Sequence, residues 1–196
     1  MNRTSDVYRD TQETKIKVSL NIDGEGKSNI ETGMPFFDHM LTGFTKHGLF
    51  DLDVKCDGDI EVDGHHSVED TGIVIGQAIK EAIGDKKGIV RFGYFILPMD
   101  DALVLCSIDL GGRPYFDSND YMFPTEKVGE LDTEVFKEFF AAVSYSAMMN
   151  IHIRVLAGDN SHHIAEAMFK AFAKSLDMAT ALDPRIKGVQ STKGIL

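Results

Sequence analysis

Two short strings carry most of the chemistry in this sequence: His65-His66-Ser67-Val68-Glu69 and His162-His163-Ile164-Ala165-Glu166, which share the spacing His-His-x-x-Glu and lie half the chain apart. On a helix or tight turn, the first histidine and the glutamate are i and i+4 and share a side, whereas the second histidine points about 100° away around the axis. One motif therefore does not easily wrap all three side chains around a single ion, but it could give two ligands to one metal and one to another. With His39, and with Glu138 at the place of His39 when the halves are aligned, eight donors are available: His39, His65, His66, Glu69, Glu138, His162, His163 and Glu166. That supply suits two sites of about four protein ligands each, with positions open for substrate or water. A lone histidine is usually solvated, and a single such motif arises by chance; its duplication at matching places is what points to metal. For Glu138, a solvated helix glutamate is the plain alternative. The donors are imidazole and carboxylate without thiolate, which argues against a closed structural zinc site. They suit Mn²⁺, although Fe²⁺, Co²⁺ or Zn²⁺ would accept the same ligands.

Other charged residues have weaker local signals. Arg91, in Gly88-Ile89-Val90-Arg91-Phe92-Gly93, and Arg113, in Gly111-Gly112-Arg113-Pro114-Tyr115, are placed to grip an oxyanion or, more plainly, to pack their stems and contact a carbonyl. Lys170 lies one helical turn beyond Glu166. The tail, with Ser191, Lys193 and Gly194, has the composition of a phosphate clamp and equally of a loose terminus. His47 lies two turns beyond His39 on one helical face. Glu13, expected just ahead of the first strand, reads locally as an exposed glutamate; Asp100-Asp101 reads as a turn, and His152 as a structural histidine in a strand.

The elements that must position these groups repeat as well. Alternating apolar segments precede each histidine pair: Leu52, Val54 and Cys56, then Met149, Ile151, Ile153 and Val155. A helical pattern follows each pair, ending at Gly84 in one half and before Pro184 in the other. Phe36 to Phe44, opening after Pro35, corresponds to Phe136 to Val143, and Val18 to Gly24 resembles Leu105 to Gly111. The expectation is an α+β fold of two similar β-α-β-β-α halves, about 1–92 and 93–196, in one continuous unit. Helices pack on one face of mainly antiparallel or mixed sheets.

Composition narrows the function. Thirty-one acidic residues against 20 basic ones give a formal charge of −11, which disfavours a nucleic-acid binder. No apolar run approaches the roughly 20 residues that span a bilayer, and MNRTSDVYRD has no signal-peptide core. Two cysteines, Cys56 and Cys106, make no disulfide framework, so a reducing cytoplasm is expected.

The strings Phe-Phe-Asp-His-Met-Leu (36–41), Asp-Gly-His-His-Ser-Val-Glu-Asp (63–70), Gly-Gly-Arg-Pro-Tyr (111–115), Asn-Ser-His-His-Ile-Ala-Glu-Ala (160–167) and Ser-Thr-Lys-Gly (191–194) closely resemble the imidazoleglycerol-phosphate dehydratase family. The resemblance covers nearly the whole chain. It implies a manganese hydro-lyase with two metals per active site, converting imidazole glycerol phosphate to imidazole acetol phosphate and water in histidine biosynthesis. It also implies a cage of 24 copies with metal sites between neighbouring chains. By resemblance, His39, His65, His66, Glu69, His162, His163 and Glu166 are metal ligands. Glu138 stands where some members have a ligating histidine. Glu13, His47, Arg91, Arg113, Lys170, Ser191 and Lys193 resemble substrate contacts, the cations facing phosphate. Gly43 replaces a substrate-contacting glutamine of some members, and Gly64 an aspartate. The implied reaction takes hydrogen from a carbon that no carbonyl acidifies. Two metals acting as Lewis acids on the ring, with Glu13 or Glu166 shuttling protons, are the expected machinery. Two rivals use the same ligands: a dinuclear metallohydrolase, and a metal-storage shell without turnover.

Overall fold

The computed structural model describes residues 3–119 and 121–196. The first half runs β1 (Thr4–Asp10), β2 (Thr14–Asn21), β3 (Ser28–Glu31), α1 (Pro35–Gly48), β4 (Asp51–Gly58) and α2 (His65–Ile83). The second runs β5 (Phe92–Met99), β6 (Ala102–Asp109), β7 (Tyr115–Ser118), α3 (Val135–Ala147), β10 (Asn150–Ala157) and α4 (Ser161–Thr180), with a small hairpin, β8 (Lys127–Val128) and β9 (Leu131–Asp132), inserted before α3. The sheets have the same plan, β1-β2-β4-β3 and β5-β6-β10-β7, each with two antiparallel pairings and one parallel edge pairing. The fold is α+β with two similar halves, as expected; the order within each half is β-β-β-α-β-α.

Two differences from the sequence reading have a simple cause. Glu13 does not precede the first strand but sits in the turn between β1 and β2. Only Ser5 and Val7 of β1 face the core, so no apolar alternation announces that strand. The histidine pairs belong to the first turns of α2 and α4 rather than to the loops before them.

Each sheet is covered by helices on one face. The halves meet helix to helix, α1 on α4 and α2 on α3, so the helices lie between the sheets. Gly72 and Gly76, one turn apart on α2, make the second contact close: a Cβ at either would come within 2.8 Å of a carbonyl oxygen of α3, that of Phe139 or Val143. Phenylalanines fill the centre, with Phe139 and Phe169 stacked at 5.0 Å between ring centroids and Phe37 against Phe139 edge-on at 5.5 Å. α1 opens with Pro35 in its first turn and stops at Leu49 in the left-handed conformation, φ 58°. α4 is capped by the Asn160 side chain, which accepts from the backbone N–H groups of His162 and His163 at 2.9 and 3.2 Å. These caps fix where His39 and the second histidine pair emerge.

Candidate functional site

The contact between α1 and α4 brings His39 of the first half to His162 and Glu166 of the second. Among the described residues, these three form the group whose donor atoms all lie within 4.8 Å of one another. Glu166, 12% exposed, has its Oε2 3.3 Å from His162 Nε2 and 3.9 Å from His39 Nε2. Its Oε1 accepts a 2.7 Å ion pair from Lys170 Nζ. Burial raises the Glu166 carboxyl, yet the Lys170 hydrogen bond and charge, helped by His39 and His162, outweigh it and hold the group ionised below the usual carboxylate range. Lys170 thus holds the Glu166 carboxylate in place as an anion. His47, further along α1, is pulled down by desolvation and then by the Lys170 charge.

The remaining donors form separate groups. His65 Nε2 stands 3.8 Å from Glu69 Oε2, the i,i+4 relation expected from the motif. His66 turns away, its Nδ1 3.0 Å from Asp59 Oδ2 and its Nε2 3.8 Å from Glu13 Oε1. His163 does the same in the second half, with Nδ1 2.5 Å from Asp101 Oδ1 and Nε2 3.5 Å from Asp100 Oδ2. The Asp59 and Asp101 hydrogen bonds raise the two imidazoles. In return, His163 and the Asp159 backbone N–H lower Asp101 to about 2. Glu138 is exposed on α3 and forms no ion pair with His65; by the repeat it stands to the first histidine pair as His39 stands to the second. Asp59 escaped the sequence reading, and Asp100-Asp101 was legible only as a turn, because an aspartate in a turn has ample local reasons to be there.

Arg91, Arg113, Ser191 and Lys193 line one cavity together with Phe92, Thr192 and the C-terminal Leu196. Arg91 pairs with Asp109 through both nitrogens, Nε to Oδ1 at 2.7 Å and Nη2 to Oδ2 at 3.0 Å, and donates from Nη1 to the Gln190 carbonyl at 2.7 Å. Its charge is neutralised within the chain, and it ties the tail in place. Arg113 and Lys193, both exposed, have no carboxylate partner among the described residues and supply the cavity's positive charge.

This cavity and the triad lie at opposite ends of the second sheet. Arg91 adjoins Phe92 at the start of β5 and donates its backbone N–H to Ala179 at the end of α4. The triad lies by the other end, where Lys170 Nζ reaches Met99 Sδ at 3.7 Å. Seven residue steps along β5, from Phe92 to Met99, separate those ends by about 23 Å.

The comparisons with known proteins agree with one another. The family profile described as imidazoleglycerol-phosphate dehydratase matches residues 32–176. The chain belongs to that family. It is 60% identical to the imidazoleglycerol-phosphate dehydratase of Lachnoclostridium phytofermentans over 99% of this chain and 98% of that one. It is 58% identical to that of Acetivibrio thermocellus over the full length of both. The crystal structure of the Staphylococcus aureus enzyme superposes with a TM-score of 0.83 at 40% identity, covering 92% of this chain and 99% of that one. Members bearing this name are hydro-lyases, and so is this chain. Among the described residues, no helix is long and apolar enough to cross a membrane.

Proposed function

We propose that this chain dehydrates imidazole glycerol phosphate to imidazole acetol phosphate in cytoplasmic L-histidine biosynthesis. It does so with two Mn²⁺ ions per active site, in a homo-oligomer that shares its centres between copies. The observation that carries the reading is the convergence of His39, His162 and Glu166 in a chain of this family. A set of imidazole and carboxylate donors without thiolate fits Mn²⁺. Bound metal supplies Lewis acidity and a template for the imidazole ring.

The protein's own groups divide the remaining work. Glu166 is locked as an anion by Lys170, which suits a ligand better than a proton carrier. Glu13, exposed and beside His66, is the carboxylate free to take and return a proton at Oε1. Arg113, Lys193 and the Ser191 hydroxyl hold the phosphate, and Arg91 orders the tail that presents Ser191 and Lys193. A fixed phosphate anchors the reacting carbons and lends its binding energy to the chemistry.

Distance supports sharing between copies. The three carbons and ester oxygen between ring and phosphorus reach about 6 Å, less than the span of two residues, whereas the triad and the cavity of one chain are about 23 Å apart. One chain's ligands therefore serve a ring whose phosphate sits in another chain's cavity. The outer face of the second sheet supports such an assembly, since Phe92, Tyr94, Ile96 and Tyr115 are exposed on it next to the cavity. The matching face of the first sheet carries Asp6, Lys15, Lys17, Asp53 and Lys55. We extend the proposal to the cage of 24 implied by the resemblance.

The test is direct: chelator-stripped protein is incubated with imidazole glycerol phosphate with and without Mn²⁺, and product absorbance is followed. Product only with metal is expected. Phosphate release from simple esters in place of dehydration would favour a metallohydrolase, and bound metal far above two ions per chain without turnover a storage shell.

A further inference from the structure

His66 and His163 stand out because each is gripped from behind. Both are the second histidine of a pair and diverge from the side occupied by His65 or His162. In both, an aspartate occupies Nδ1 and leaves Nε2 facing outward: Asp59 at 3.0 Å from His66, Asp101 at 2.5 Å from His163. We propose that Asp59 and Asp101 are positioning residues that fix the tautomer and aim of His66 and His163, so that Nε2 is presented to a metal. This rests on the metal reading above.

The two aspartates are not counterparts in the repeat. Asp59 follows β4, whereas Asp101 lies in the β5–β6 turn. The same service reached from two different places is a sign that the imidazole's orientation matters, because an inherited contact would come from one place. A neutral imidazole that donates from Nδ1 to a carboxylate has its lone pair on Nε2, and the carboxylate makes that nitrogen a better donor to a cation. Each Nε2 also faces a second carboxylate from the hairpin of its own sheet, Glu13 or Asp100. A cation on either Nε2 would therefore meet a negative surrounding.

Asp101 has further duties. Its Oδ2 accepts the backbone N–H groups of Asp159 and Asn160 at 2.6 and 2.9 Å, which ties it to the cap of α4. Among the described residues the Asp59 carboxylate accepts hydrogen bonds from His66 alone, so Asp59→Asn is the cleaner variant. The experiment titrates metal-free protein with Mn²⁺ and reads free Mn²⁺ by electron paramagnetic resonance, beside thermal unfolding of the same metal-free samples. Asp59→Asn is expected to weaken Mn²⁺ binding about 10- to 100-fold with unfolding unchanged, and Asp59→Glu to recover part of the loss. Asp183→Asn, on the remote Asp183–Arg185 pair, serves as the control and leaves affinity unchanged. Affinity within twofold of the parent in both Asp59→Asn and Asp101→Asn overturns the proposal. So does a loss matched by earlier unfolding in Asp59→Asn, which would make the contact a fold contact. Failure of the unaltered protein to bind Mn²⁺ would instead sink the metal reading itself.

Discussion

If ring and phosphate are held by different chains, two crippled variants should repair each other. Glu166→Gln removes the charge of the triad's carboxylate and leaves the cavity whole. Arg113→Ala with Lys193→Ala removes the cavity's free charge and leaves the triad whole. Each variant alone is expected to turn over poorly at substrate well below KM, since losing charge-assisted contacts of about 1.5–3 kcal/mol each lowers kcat/KM by roughly tenfold or more per contact. When the two are unfolded, mixed in equal amounts and reassembled with Mn²⁺, half of all triads and half of all cavities are intact. A centre that draws its triad from one chain and its cavity from another then has both intact in about a quarter of cases, so kcat/KM should recover to about a quarter of that of the unaltered protein. That the two parts must come from different chains follows from the 92–99 strand, whose length keeps them about 23 Å apart within a chain. If both parts came from one chain, every centre in the mixture would carry one lesion and no recovery would appear. Activity that stays at the average of the two parents refutes shared centres.

Two further tests address the frame. A Cβ on Gly93 would lie 1.8 Å from the Ser175 carbonyl oxygen, so β5 could approach α4 only by shifting more than an ångström. Gly93→Ala should cost about 3 kcal/mol or more and lower Tm by about 6–12 °C in metal-free protein, whereas Gly43→Ala, in open space on α1, should gain about 0.5–1 kcal/mol; equal Tm values for the two would contradict the packing. Cys106 is fully buried, and burial pushes its thiol up to about 12. Because the folded value lies above the unfolded one, that contribution is whole below the unfolded value near 9 and is lost as pH rises through about 12. Denaturant titrations should show stability falling above pH 9, and Cys106→Ala should flatten that limb; an unchanged alkaline slope would be the contrary result.

The sequence revealed the repeat, the two helices that bear the histidine pairs and the strands before them, because inward-facing residues such as Leu52, Val54 and Cys56 alternate without interruption. It did not reveal β1, β3 and β7. Edge strands carry few core residues, and Ser28–Glu31 buries none. The candidate ligands were legible as types at a spacing, and the family resemblance extended them to the cavity residues. Their partners were not. Asp59 contacts His66 from outside its helix, and Asp109 reaches Arg91 across a strand pair. Such contacts depend on register and turn length, which no local pattern records.

The triad also explains why the halves are inseparable. His39 comes from α1 of the first half, whereas His162 and Glu166 come from α4 of the second. The repeat puts Glu138 of α3 at the corresponding place and α2 packs on α3, but among the described residues Glu138 forms no ion pair with the first histidine motif and no matching group closes there. The second motif thus looks across the interface for its additional donor, so the second half on its own would keep a histidine pair and a glutamate but lose His39, which closes the set. Exchange of helices across the interface therefore couples folding of the whole chain to the candidate metal chemistry: loosening the Phe37, Phe139 and Phe169 cluster would separate His39 from Glu166 before it touched either side chain.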